Sequence, residues 1–108
     1  MVITIFRSRL KPDAVEEYSE WAPRMGALAK TMPGYISHKV FVAEDGERLT
    51  LVEFEDDNTQ QGWRTNAQHV EAQKKGRKDF YQEYKLQICR VERESSFNAD
   101  AKAAAKAT

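Results

Sequence analysis

Cysteine is nearly absent: the chain has one, Cys89. An intramolecular disulfide and a cysteine-based metal cluster are therefore excluded, and a reducing compartment such as the cytoplasm is expected. Cys89 stands inside an apolar strand pattern and reads as a buried, inert thiol. Net charge is absent too, because seventeen basic residues cancel seventeen acidic ones. A nucleic-acid partner wants a basic excess on one face, so none is expected. The run Lys74, Lys75, Arg77 and Lys78 is a local exception, read as a solvated helix face with an anion site as the alternative. No apolar run approaches transmembrane length and no long apolar leader precedes the first strand, so neither membrane span nor signal peptide is expected. The two histidines, His38 and His69, lie far apart with no acidic partner at ligand spacing, so no metal site is expected. A glycine-rich phosphate loop and a Ser-His-Asp arrangement are also missing.

What remains is an ordinary balance of 41% apolar and 31% charged residues in 108. That is one domain with a modest core. Residues 2–10 are rich in β-branched and aromatic side chains and read as a strand. Pro12-Asp13 opens a helix, with Asp13 as N-cap and Glu16 as its capping-box partner. Ala14, Tyr18, Trp21, Met25, Leu28 and Met32 then form one apolar stripe, with a kink or break expected near Ala22 because of Pro23. At that spacing Trp21 reads as core. Tyr35–Ala43 and Arg48–Glu55 read as strands joined by a hairpin with Asp45-Gly46 at its centre. A short helix, 59–65, carries Trp63; Asn66 interrupts; a second piece, 68–80, places His69, Gln73, Gly76 or Arg77, and Phe80 along one face. Gly76 reads as a close-packing or bending site. Tyr84–Arg93 is the last strand.

The order is βαββαβ, the ferredoxin-like pattern, an α+β fold with a four-stranded antiparallel sheet. Its helices cover one face only. Yet Val40 and Phe41, Leu51 and Val52, and Ile88 and Cys89 put apolar residues on both. A second copy of the sheet is the economical cover, so a two-fold homodimer is expected. Residues 1–94 form the domain. The Ala/Lys-rich tail, residues 95–108, is expected to be loose, or helical only against a partner subunit.

The βαββαβ order, the hairpin stretch ISHKVFVAEDGERLTLVEFED and the segment WRTNAQHVEAQKKGRKDFYQEYKLQICRV resemble the antibiotic biosynthesis monooxygenase family. The resemblance spans about residues 2–94. It implies a dimeric α+β barrel with a pocket between sheet and helices in each subunit. It further implies a monooxygenase that needs no cofactor and uses molecular oxygen on an aromatic phenol or quinol-like small molecule. Family members also include haem-degrading monooxygenases.

For the cofactor-free reaction a base must stand near the phenolic oxygen, within an apolar cavity. His69 is the side chain best matched to that role. Trp63 and Asn66 match in type and rough place the tryptophan and asparagine that help form the pocket in the resembling monooxygenases. Phe80 and Tyr81 would supply flat walls, Arg77 would hold an anionic oxygen, and Asn66 would donate to a carbonyl or to reduced oxygen. Each has a plainer alternative. His69 can cap the helix break or bond Asp79 or Glu71, Trp63 can be core, Arg77 can pair with Glu83, and Tyr81 can serve an interface. His38 shares a parity with Ile36 and reads as a hydrogen-bonded core histidine, with pocket lining second. A haem-degrading enzyme would use His69 as the iron ligand and an asparagine on the first strand, and residues 2–10 contain none. A non-catalytic ligand-binding dimer is the remaining reading. A cavity lined by Trp63, Asn66 and His69 would favour chemistry, whereas a space filled by Trp21, Met25 and Phe80 would favour binding or structure.

Overall fold

A computed structural model describes residues 1–100. Strand β1 (Val2–Leu10) leads through a 3-10 turn at Pro12–Ala14 into helix α1 (Val15–Lys30). Strands β2 (Tyr35–Val42) and β3 (Arg48–Phe54) follow as a hairpin, then helices α2 (Asp57–Thr65) and α3 (Ala67–Lys75). A π turn, Gly76–Phe80, delivers the chain to strand β4 (Tyr81–Arg90). The sheet is antiparallel in the order β2-β3-β1-β4. The expected βαββαβ fold is the observed one.

Register decides which side chains meet the helices. Thr4 stands opposite Val52 and Ile88, and Phe6 opposite Thr50 and Leu86. Direct partners share a face, so this parity lies under the helices. There Phe54, fully buried, packs with Val52, Ala29 and Trp63 as the core. The other parity carries Ile3, Ile5, Leu49, Leu51, Phe41 and Cys89. Cys89, expected to be buried, is only half-buried, because no helix of the described chain crosses that face.

Four local expectations are corrected. Asp13 does not cap α1: Pro12 starts a 3-10 turn at once, Ala14 holds the α1 cap position, and no side-chain cap bond forms. The capping box lies instead at Asp56, whose carboxylate accepts from the Thr59 amide at 2.8 Å while the Thr59 hydroxyl faces the Asp56 amide. That starts α2 two residues earlier than expected. Helix α1 runs through Pro23 without a break. The carbonyl that proline leaves without an amide belongs to exposed Ser19, where water can satisfy it. Finally β4 begins at Tyr81 and ends at Arg90, three residues early at each end, because the π turn, ending at Phe80, passes directly into the strand with no intervening loop. The expectation for residues 101–108 of the tail lies outside the described residues. Among the described residues no helix is long and apolar enough to cross a membrane.

Candidate active site

Between α1, α2, α3 and the sheet lies a half-open cavity of about 300 Å³. Ligand clefts usually span about 300–1,000 Å³, so this one lies at the small end of that range. Trp63, His69, Arg77, Phe80, Tyr81 and His38 all line it. So do Trp21 and Met25, which read as core from the sequence. The cavity therefore takes Trp63 and His69 from the set expected to favour chemistry, and all of Trp21, Met25 and Phe80 from the set expected to favour binding or structure.

Its centre is built by the break between α2 and α3. Asn66 adopts φ −56° and ψ 131°, which no helix continues. Its side-chain oxygen accepts from the Gln68 and His69 amides at 3.0 and 3.2 Å, so it caps α3 as α2 ends. Its amide nitrogen points to the Met32 sulfur at 3.7 Å. Asn66 is not among the cavity-lining residues. The oxygen is thus committed to the cap, while the amide nitrogen, the expected donor to a ligand oxygen, lies against the Met32 sulfur.

The cap fixes His69. Its ring stacks flat on Trp63, with centroids 3.8 Å apart and planes 14° from parallel. His69 Nδ1 lies 3.0 Å from the Trp63 carbonyl. A carbonyl only accepts, so Nδ1 carries the proton and donates. The Gln73 amide nitrogen, 3.3 Å from the same Nδ1, then has no acceptor there and donates to the Arg64 carbonyl at 3.4 Å. The remaining nitrogen, Nε2, keeps its lone pair, and among the described residues no partner is recorded for it. Burial pushes the His69 pKa below its ordinary value, partly offset by the bond to the Trp63 carbonyl. The ring is thus a neutral acceptor near neutral pH. Asp79, an alternative partner, is instead ion-paired with Lys75 at 2.7 Å.

The far wall is aromatic. Phe80 meets Tyr18 edge-on at 5.8 Å and Trp21 at 6.3 Å. Gly76 makes this wall possible: a Cβ there would stand 2.4 Å from a Tyr81 ring carbon. Gly76 also opens the π turn, whose closing bond runs from the Tyr81 amide to the Gly76 carbonyl. π turns recur at functional sites because they re-aim side chains. Burial and the neighbouring Tyr18 raise the Tyr81 pKa, so its hydroxyl stays protonated. Glu83, the expected alternative partner of Arg77, is taken by Arg9 at 3.1 Å.

His38 is half-buried on β2. Its Nδ1 is 2.7 Å from the Tyr35 hydroxyl, and its ring lines the cavity beside Gly26. Two polar residues were not singled out in the sequence. Gln60 and Thr4, both buried, form a bond of 3.3 Å on the cavity floor. The available signal was spacing, since Gln60 lies one helical turn before Trp63 on the same face. Among the described residues no cluster of three metal-ligating side chains occurs.

A family model described as "Antibiotic biosynthesis monooxygenase" matches residues 1–75. A curated relative, the uncharacterized protein YqjZ of Bacillus subtilis (strain 168), is 29% identical over 90 residues, covering 83% of this chain and 79% of the relative. Rv0793 from Mycobacterium tuberculosis superposes with a TM-score of 0.79 at 16% identity, covering 88% of this chain and 98% of that one. SnoaB, a cofactor-independent oxygenase from Streptomyces nogalater, superposes with a TM-score of 0.72 at 14% identity, covering 86% and 94%. At such identities the two structures establish the shared fold.

Proposed function

The chain belongs to the antibiotic biosynthesis monooxygenase family, and on that premise we propose that it is a cofactor-independent monooxygenase oxidising a phenol or quinol-like aromatic with molecular oxygen. The observation that carries this reading is the His69 ring, stacked on Trp63 and held by the Trp63 carbonyl with Nε2 left as an acceptor in an aromatic-lined cavity. Such a ring accepts the phenolic proton with little reorganisation. The phenolate passes one electron to oxygen, giving a phenoxyl radical and superoxide. These combine at a ring carbon, and the imidazolium returns its proton to the peroxide. Loss of that ring carbon's hydrogen together with hydroxide, as water, leaves a quinone. One oxygen atom enters the product and the other leaves as water. Trp63, Phe80 and Tyr81 sandwich the rings, and Gln60 with Thr4 offers a polar contact on the floor. Asn66 is a positioning residue, acting through His69.

Haem is the poorer fit. A tetrapyrrole needs more room than about 300 Å³, and the first strand offers Thr4 and Ser8 where an asparagine is wanted. Similarity to a cofactor-independent oxygenase supports the same choice. The reading places the protein in the cytoplasm as a homodimer, with the open sheet faces of two copies packed together.

Oxygen uptake with a panel of hydroquinones and polyphenols tests the chemistry. Uptake by the wild type should fall at least about 100-fold in His69→Ala, the usual worth of a positioned base. Equal uptake by both proteins removes His69 from the mechanism, and no uptake with any compound leaves a binding role.

A further inference from the structure

The cavity mouth carries charge that the oxidation chemistry does not use. Arg64, near the end of α2, and Arg77, in the π turn, both line the cavity and are both exposed. Arg7, Arg9 and Arg90 each hold a carboxylate within 2.9 Å. Among the described residues no ion pair or side-chain hydrogen bond is recorded for the guanidinium of Arg64 or Arg77. Aspartate and glutamate are missing from the cavity lining, although the chain has as many acids as bases. His69 adds no charge near neutral pH, because burial lowers its pKa. The net result is an apolar slot with two cations and no anion around it. Low-dielectric walls concentrate such a field at the opening.

We infer that the ligand is an aromatic carboxylic acid, whose rings enter the slot while its carboxylate stays at the mouth on Arg64 and Arg77. A guanidinium presents paired donors that match a planar carboxylate. At an exposed mouth the carboxylate keeps water on its outer side, so its desolvation cost is small. The phenolate formed at His69 is a separate charge, since that ring is half-buried on the Trp63 face and the guanidiniums are exposed. The inference rests on the reading of the cavity as an aromatic site, and names the class of compound within it.

Isothermal titration at pH 7 with 2-naphthol and 6-hydroxy-2-naphthoate tests it. The two share rings and a hydroxyl and differ in one carboxylate, at the end of the molecule far from the hydroxyl. The naphthoate should bind the wild type about tenfold more tightly than the naphthol, as expected for charge-assisted contacts at a partly solvated site. In Arg64→Gln/Arg77→Gln the two affinities should come within about twofold of each other, because surface-accessible charge was the only source of the difference. Equal affinities in the wild type, or a preference that survives in the double variant, overturn the inference and leave the aromatic cavity standing. No binding of either compound overturns both.

Discussion

His69 takes its chemical character from its surroundings. Burial between Trp63 and the cavity wall opposes its charged form, and the Trp63 carbonyl fixes which nitrogen carries the proton. The consequence for stability has a definite sign. The folded pKa lies below the unfolded value of about 6.5. As pH falls through that value the unfolded chain binds a proton here that the folded chain refuses. The stabilisation is therefore complete above about pH 6.5 and is lost as pH falls toward the folded pKa. Urea midpoints between pH 7.5 and 5 should drop more steeply for the wild type than for His69→Gln; parallel slopes would show that His69 titrates alike in both states. The identity of this residue was legible in the sequence because histidine is the one side chain with an acid–base midpoint near neutrality. Its carbonyl partner was not, since a backbone acceptor leaves no mark on composition. Gln60 was hidden for a related reason: a buried glutamine reads like any polar helix residue until Thr4 is seen beneath it.

At the level of elements, the junction of α2 and α3 does the positioning. One extended residue, Asn66, ends a helix and caps the next, bringing the Trp63 and His69 rings into register six residues apart. Asn66→Ala should lower stability by about 1 kcal/mol, the usual worth of an N-cap, in urea unfolding. Asn66→Ser should recover most of it, because a hydroxyl can accept from the same amides. If Asn66 acts only by holding His69, oxygen uptake returns with stability in the serine variant. A stable but inactive serine variant would instead give the amide a direct part in the reaction. The break at Asn66 was readable from the sequence, whereas the α1 start and the β4 start were misplaced. Asp13 has the right chemistry for a cap but follows Pro12, which had already set the turn. Residues 81–83 were left between helix and strand, yet the π turn at Gly76 delivers Tyr81 straight into the strand, and nothing local but a glycine announces that.

For the molecule as a whole, strand order and sheet pairing followed from hydrophobic pattern and turns, because a strand with apolar residues on both parities has few places to go. The same pattern carries the argument for assembly. Ile3, Ile5, Leu49 and Leu51 line up across β1 and β3 on the face away from the helices, with Phe41 beside them on β2. Phe41 is 48% exposed. A monomer would present an apolar sheet face to water, which favours association. A second copy is the simplest cover, because a two-fold axis lets one surface complement itself. Light scattering at micromolar concentration should give twice the 12.4 kDa of the chain. Leu51→Arg, which sets a charge at the middle of that face and away from the core of Phe54 and Trp63, should give the mass of one chain while circular dichroism stays unchanged. A single-chain mass for the wild type would show that this face meets water without a partner, and would remove the dimer.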